Sequence, residues 1–214
     1  ARLAEHYGCE IAASNQDVVD RGEGIFVALP AAQGMAELSR LHFRPGQPVL
    51  SAMAGSRAQA LAAAIGPATG DMAMMPGYAN ALRVGPSILY PGTAFWRAFL
   101  GHVGPVHVLE AEDQFVAAAS FGAFSGASFA WMSAIIDWFT AQGLPPDLAR
   151  NLVAGTLRGN AEVLLREGRS MDSIRESVAT PGGITELLLA NLGEAEGLPG
   201  WARGLDAVLQ RLKG

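Results

Sequence analysis

The chain has 214 residues, 50% of them hydrophobic and 16% charged, which supplies apolar material for one large core or two smaller ones. A net charge of −5 at pH 7, with no run of Lys or Arg, excludes nucleic acid and an acidic membrane surface as expected partners. The apolar runs read as broken by Gly, Pro or charge before the roughly 20 residues of a membrane span, and the N-terminal residues Ala1-Arg2-Leu3-Ala4-Glu5-His6 resemble no signal or transit peptide, so the expected location is the cytoplasm. Cys9 is the sole cysteine, so no intrachain disulfide can form, and a buried or neutral thiol is expected rather than a nucleophile.

The first hundred residues alternate short apolar runs with helix-like stretches, a βαβ-like pattern that predicts a parallel sheet flanked by helices. Strands are expected at 10–13, 24–29, 48–53, 72–75 and 106–109, and helices at 16–21, 34–41, 57–65 and 93–100. Ser14-Asn15-Gln16-Asp17 offers an N-cap with an acidic residue three positions on, and Pro91-Gly92 opens the last of these helices. From residue 114 onward the β-branched runs disappear and amphipathic helices take over, at 115–121, 128–141, 146–167, 171–178, 185–192 and 201–212. The predicted organisation is therefore an α/β domain over 1–113 and an all-α domain over 114–214. Within the second, Phe129, Met132, Ile135, Ile136 and Phe139 form a stripe wide enough to need another helix or a second subunit over it.

Chemistry-bearing patterns are few. His6, His42, His102 and His107 lack metal-ligand spacing, and neither a Ser/His/Asp set nor a carboxylate pair is readable, so no metal site is expected. Glu110, Glu112 and Asp113 read as a solvated charge run, and Gly122-Ala123-Phe124-Ser125-Gly126 as a small-residue helix contact. The exception is Val178-Ala179-Thr180-Pro181-Gly182-Gly183-Ile184-Thr185, a Pro-Gly-Gly turn that runs into an apolar helix and closes with a hydroxyl. Such a turn presents free backbone N–H groups to an anion. Taken alone it is equally a helix–helix turn in which Thr185 caps.

Read with the helical pattern over 152–167 and Ser170-Met171-Asp172-Ser173-Ile174-Arg175-Glu176-Ser177, this turn resembles the C-terminal domain of the pyrroline-5-carboxylate reductase family. The resemblance extends over nearly the whole chain and implies a Rossmann-like nucleotide-binding domain followed by an α-helical dimerisation and substrate domain. In the family a first strand, a G-x-G-x-x-G/A turn, a helix and a second strand precede the segment matching residues 1–8. The 214 residues do not contain them. The expected sheet domain is thus N-terminally incomplete, either because the sequence is a piece of a longer protein, the reading adopted, or because the cofactor cradle has been lost.

The resemblance implies NADPH or NADH as cofactor and places Asn15, Ala28, Leu29, Pro30, Ala54 and Gly55 against it. Asn15 falls where the family has an asparagine near the adenosine ribose, Phe26-Val27-Ala28-Leu29-Pro30 replaces an Ala-Val-Lys-Pro segment, and Ser51-Ala52-Met53-Ala54-Gly55 replaces Ser-x-Ala-Ala-Gly. Leu29 removes a charge there and leaves NADPH against NADH open. Met75-Pro76-Gly77-Tyr78-Ala79-Asn80 stands for Met-Pro-Asn-Thr-Pro, and residues 121–127 stand for Ser-Gly-Ser-Gly-Pro-Ala-Tyr with the hydroxyls moved. Gly143-Leu144-Pro145, the 152–165 helix and 180–185 follow the family, with Ile184 in place of a small or hydroxyl residue.

The implied activity is NAD(P)H-dependent reduction of a cyclic imino acid, as in proline biosynthesis, by a homodimer or larger homo-oligomer. Thr185 and Thr180 are the implied catalytic hydroxyls, while Gly182, Gly183 and Ile184 are the implied substrate-binding backbone. The active site would form where the cofactor domain of one subunit meets helices of its partner. Tyr78 could donate a proton and Arg83 could grip a carboxylate or phosphate, with surface or packing roles as the alternative. Two rival functions stay open: the same fold acting on another imine or a keto substrate, and a non-catalytic dimeric binding relative.

Overall fold

The computed structural model describes residues 2–75 and 77–213. The chain divides into two compact units, residues 1–122 with 209–214, and residues 123–208. The first unit is built on a five-stranded sheet in the order β1 (Ile25–Val27), β2 (Pro48–Ser51), β3 (Thr69–Met74), β4 (Ser87–Tyr90) and β5 (Val106–Val108). Its helices are α1 (Arg2–Tyr7), α2 (Asn15–Arg21), α3 (Ala31–Leu38), α4 (Ala58–Ile65), the single turn α5 (Tyr78–Ala81), α6 (Ala94–Gly101) and α7 (Glu112–Ala118).

The two-residue alternation of the strands sorts their side chains onto two faces. Ile25, Val27, Val49, Met72 and Ile88 join Val19, Leu38, Leu61, Ile65 and Phe115 in the larger core. Leu50, Ala73 and Leu89 point the other way and pack with Trp96 and Leu100 of α6. This two-sided burial is why the strands read as continuous apolar runs.

β1, β2 and β3 pair in parallel, as do β4 and β5, but β3 and β4 are antiparallel, with Met72 opposite Tyr90 and Met74 opposite Ile88. The expected parallel sheet therefore carries one reversal. A parallel return needs a long crossover, whereas the segment after β3 holds only the four-residue α5 and leads straight back. Strand β4 escaped the sequence reading because Pro86 and Pro91 bracket it and its four residues bury on both faces. The strand expected at 10–13 is not formed. There the chain serves α2: Ala13 N–H donates to Asp17 Oδ2 at 3.0 Å, Asp17 N–H donates to Ser14 Oγ at 3.1 Å, and Glu10 pairs with Arg21.

Two further features revise the sequence picture. Glu112 is no mere solvated charge: its Oε1 accepts from Ala58 N–H at 2.9 Å and caps α4, whose N-cap Arg57 supplies no side-chain acceptor. Cys9 is exposed rather than buried.

The second unit consists of helices, α8 (Phe121–Ala141), α9 (Pro146–Arg166), α10 (Met171–Val178), α11 (Ile184–Glu194) and α12 (Gly197–Lys213), of which α8 begins and α12 ends in the first unit. At that end Leu212 packs on the larger core of the first unit and Arg57 Nη2 donates to Lys213 O at 3.1 Å. Ala149 and Val153 of α9 are buried, whereas α8, α10, α11 and α12 bury no residue completely. The 30-residue stretch Glu112–Ala141 is long and apolar enough, by length and composition, to cross a membrane. This corrects the expectation that every apolar run is interrupted early, since glycines such as Gly122 and Gly126 do not break an otherwise apolar helix.

Candidate substrate and cofactor sites

In the second unit, α10 ends at Val178 and α11 starts after Gly183, so residues 179–183 make the turn picked out by sequence. Gly182 has φ +72°, a left-handed conformation that a Cβ would strain. Gly183 N–H donates to Thr180 O at 2.8 Å, and Gly182 N–H donates to Glu186 Oε2 at 2.6 Å. The first intrahelical bond at this end runs from Leu187 N–H to Gly183 O. Among the described residues the N–H groups of Ile184, Thr185 and Glu186 therefore carry no acceptor, as the first turn of a helix requires. Two of the implied substrate-binding residues, Gly182 and Gly183, spend their amides inside the turn, while Ile184 presents a free one.

Thr185 is half-buried beside those free amides and Thr180 is exposed; among the described residues neither hydroxyl makes a hydrogen bond. Ile184 projects its side chain outward with 88% of its surface exposed. A cleft of about 350 Å³ flanks the turn, lined by Asp172, Arg175, Glu176, Ala179, Pro181 and Leu189. Arg175 lies in it with Nη1 donating to Asp172 Oδ1 at 3.2 Å. Sequence reasoning passed over both Arg175 and Glu186. Glu186 stands three residues after the N-cap Gly183, the capping-box interval, and that signal could have found it.

In the first unit, the parallel pairing of Val27 with Ser51 continues in the bond from Ala52 N–H to Val27 O at 2.9 Å. Residues 28–30 and 52–55 therefore leave the carboxyl ends of β1 and β2 side by side, where dinucleotides bind in open α/β sheets. Ala28, Pro30, Ala54 and Gly55 are exposed, and Gly55 has φ +75° with open space where a Cβ would stand. Leu29 turns inward and packs on the core, so the residue standing for a lysine is a packing residue. Ser51 and Ser56 hydroxyls meet at 2.8 Å and Ser56 Oγ donates to Met53 O at 3.0 Å, which holds the 52–55 loop closed beneath the rim. Asn15 opens α2 and is exposed; among the described residues no hydrogen bond joins it to the rim.

Tyr78 and Arg83 fall in the β3–β4 connection, where Pro76 lies outside the described residues. Tyr78 begins α5 with 83% of its surface exposed, and Arg83 has φ +62°, rare for a residue with a Cβ. The connection hangs on Asn80, buried, whose Nδ2 donates to Gly85 O at 2.8 Å, Ser87 Oγ at 3.3 Å and Val103 O at 3.4 Å. No side-chain hydrogen bond among the described residues links Tyr78 and Arg83 to each other or to the rim.

The family model for pyrroline-5-carboxylate reductase dimerisation matches residues 112–214. Pyrroline-5-carboxylate reductase 1 of Bacillus spizizenii is 24% identical over 225 aligned residues, covering 99% of this chain and 75% of that protein. Residues 112–214 thus form a pyrroline-5-carboxylate reductase dimerisation domain. The fold of the chain is shared with the 1-pyrroline-5-carboxylate reductase of Streptococcus pyogenes, at TM-score 0.86 and 20% identity over 99% of this chain and 84% of that one. The Plasmodium falciparum pyrroline carboxylate reductase with NADP bound follows at TM-score 0.85 and 17% identity, covering 94% and 80% respectively. The family match assigns the helical region from residue 112 to the dimerisation domain, and the sheet before it shares the fold of the Streptococcus pyogenes reductase.

Proposed function

We propose that this protein is an NAD(P)H-dependent reductase of a cyclic imino acid, acting as a homodimer or larger homo-oligomer. The observation that carries the reading is the head of α11, where the unpaired N–H groups of Ile184, Thr185 and Glu186 stand next to the unpaired Thr185 hydroxyl. A helix start of this kind holds a substrate carboxylate. The Thr185 hydroxyl then lies one residue from that anchor and can hydrogen-bond the ring nitrogen, orienting the C=N bond and assisting its protonation. Thr180, on the other side of the turn, supplies a second hydroxyl. The nicotinamide, when bound, supplies the hydride. The exposed backbone of Ala28, Pro30, Ala54 and Gly55 supports such a cofactor along its flank, and the inward Leu29 leaves no charge there to select a 2′-phosphate.

A second reading keeps the chemistry and changes the substrate to a more apolar imine. It is favoured by Ile184, whose exposed side chain widens the apolar surface beside the anchor. The test is NAD(P)H oxidation by the intact protein with pyrroline-5-carboxylate and a panel of cyclic imines with and without the carboxylate. Turnover confined to carboxylate-bearing imines supports the first reading, turnover of apolar imines alone supports the second, and no turnover with any of them overturns both.

A further inference from the structure

We propose that Glu186 is a positioning residue that sets the geometry of the substrate-anchoring turn, an inference that rests on the imino-acid reductase reading. Its Oε2 accepts from Gly182 N–H at 2.6 Å across four residues. Gly182 is the turn's left-handed residue, and Gly183 N–H is closed onto Thr180 O at 2.8 Å. Together the two bonds pair both glycine amides of the turn, so among the described residues anion binding is left to the free helix-start amides of Ile184, Thr185 and Glu186. A flexible Gly-Gly pair without this tie would sample many conformations, and ordering it on binding would cost affinity.

The same carboxylate could instead compete with the substrate for the helix start, since two negative charges near one N-terminus repel. The two roles predict opposite effects. If Glu186 positions the turn, Glu186→Ala raises KM for a carboxylate-bearing imine about tenfold with kcat nearly unchanged, the effect of losing a charge-assisted hydrogen bond felt only in binding. Glu186→Gln, whose amide oxygen still accepts from Gly182, restores the parent KM. A KM that is unchanged or lower in Glu186→Ala overturns the proposal.

Amide hydrogen exchange at Gly182, followed by NMR in the intact protein, separates this claim from the assigned reaction. Faster exchange in Glu186→Ala, with the parent rate retained in Glu186→Gln, is the expected result. An unchanged rate in Glu186→Ala overturns the positioning role. A parent that turns over no imine overturns the function reading, and the exchange measurement then decides the fate of the tie by itself.

Discussion

Thr185 and Tyr78 are the two side chains whose hydroxyls compete for the proposed chemical role, and their surroundings differ. Thr185 is half-buried on the second residue of α11, next to amides that have no acceptor among the described residues, whereas Tyr78 is 83% exposed at the start of a single helical turn. A hydroxyl acts reproducibly in a transition state only when its backbone is fixed. Thr185→Ala is therefore expected to lower kcat/KM for the imine substrate by about 1–3 kcal/mol of transition-state stabilisation, and Tyr78→Phe by less. Steady-state kinetics on both variants checks the order, and a silent Thr185→Ala beside an inactive Tyr78→Phe would move the proton donor to the β3–β4 connection. Gly104, in the link from α6 to β5, packs against that connection at Gly85. An added Cβ there would stand 2.1 Å from Gly85 O at φ +143°, so Gly104→Ala should destabilise the protein by about 2 kcal/mol or more, read as a lower denaturation midpoint.

Among the elements, α6 and α2 owe their ends to side chains far away in sequence. Thr93, the N-cap of α6, does not use its hydroxyl on its own helix; Thr93 Oγ1 donates to Asp71 Oδ2 at 2.7 Å, and Gly92 N–H and Thr93 N–H donate to Asp71 Oδ1 at 2.8 Å each. Asp71 is fully buried in β3, and these three bonds match its charge with the positive end of α6. Asp71→Ala leaves three donors unsatisfied and is expected to cost about 3 kcal/mol, against about 1 kcal/mol for Asp71→Asn, which keeps one acceptor oxygen. Urea denaturation of the two variants tests the difference, and equal losses would show that charge rather than hydrogen-bond count holds the helix start. At α2 the last carbonyls, Val19 O and Gly22 O, accept from Gln47 Nε2 at 2.8 and 2.9 Å, and Arg44 adds donors to Val19 O, Asp20 O and Gly22 O. Gln47→Ala should cost about 1–2 kcal/mol in the same assay, because Gln47 is buried while part of its load falls to Arg44.

For the molecule as a whole, the second unit presents the largest imbalance. Its helices expose Phe124, Phe129, Trp131, Trp138, Leu152 and Leu165, while Ala149 and Val153 are its buried apolar residues among those described. Apolar grooves of about 340 and 570 Å³ share Phe124 and Trp201, whose rings meet edge to face at 5.6 Å. Surface of this kind is not left to water in a stable protein. With the family's dimerisation region spanning residues 112–214, we expect a second copy to cover it. Sedimentation velocity at micromolar concentration should give a dimer or a larger assembly, and Phe129→Glu should dissociate it and lower Tm. A well-folded monomer would leave the apolar face of α8 without an owner.

The sequence by itself determined the class of fold and the turn that anchors the proposed site. Apolar alternation of short runs called for a sheet between helices, the loss of β-branched runs near residue 114 called for an all-helical remainder, and Thr180-Pro181-Gly182-Gly183 announced a turn before an apolar helix. These signals are local, so a few neighbouring residues carry them. Tertiary structure alone decided what depends on partners distant in the chain: the antiparallel entry of β4, the capping of α4 by Glu112, the hold of Asp71 on α6, and the inward side chain of Leu29 where a cofactor contact was expected. It also decided which amides of the turn are free, because Glu186 reaches back for one of them. A hydrogen-bond donor's availability is set by whichever acceptor folds within about 3 Å of it, and no residue pattern states that in advance.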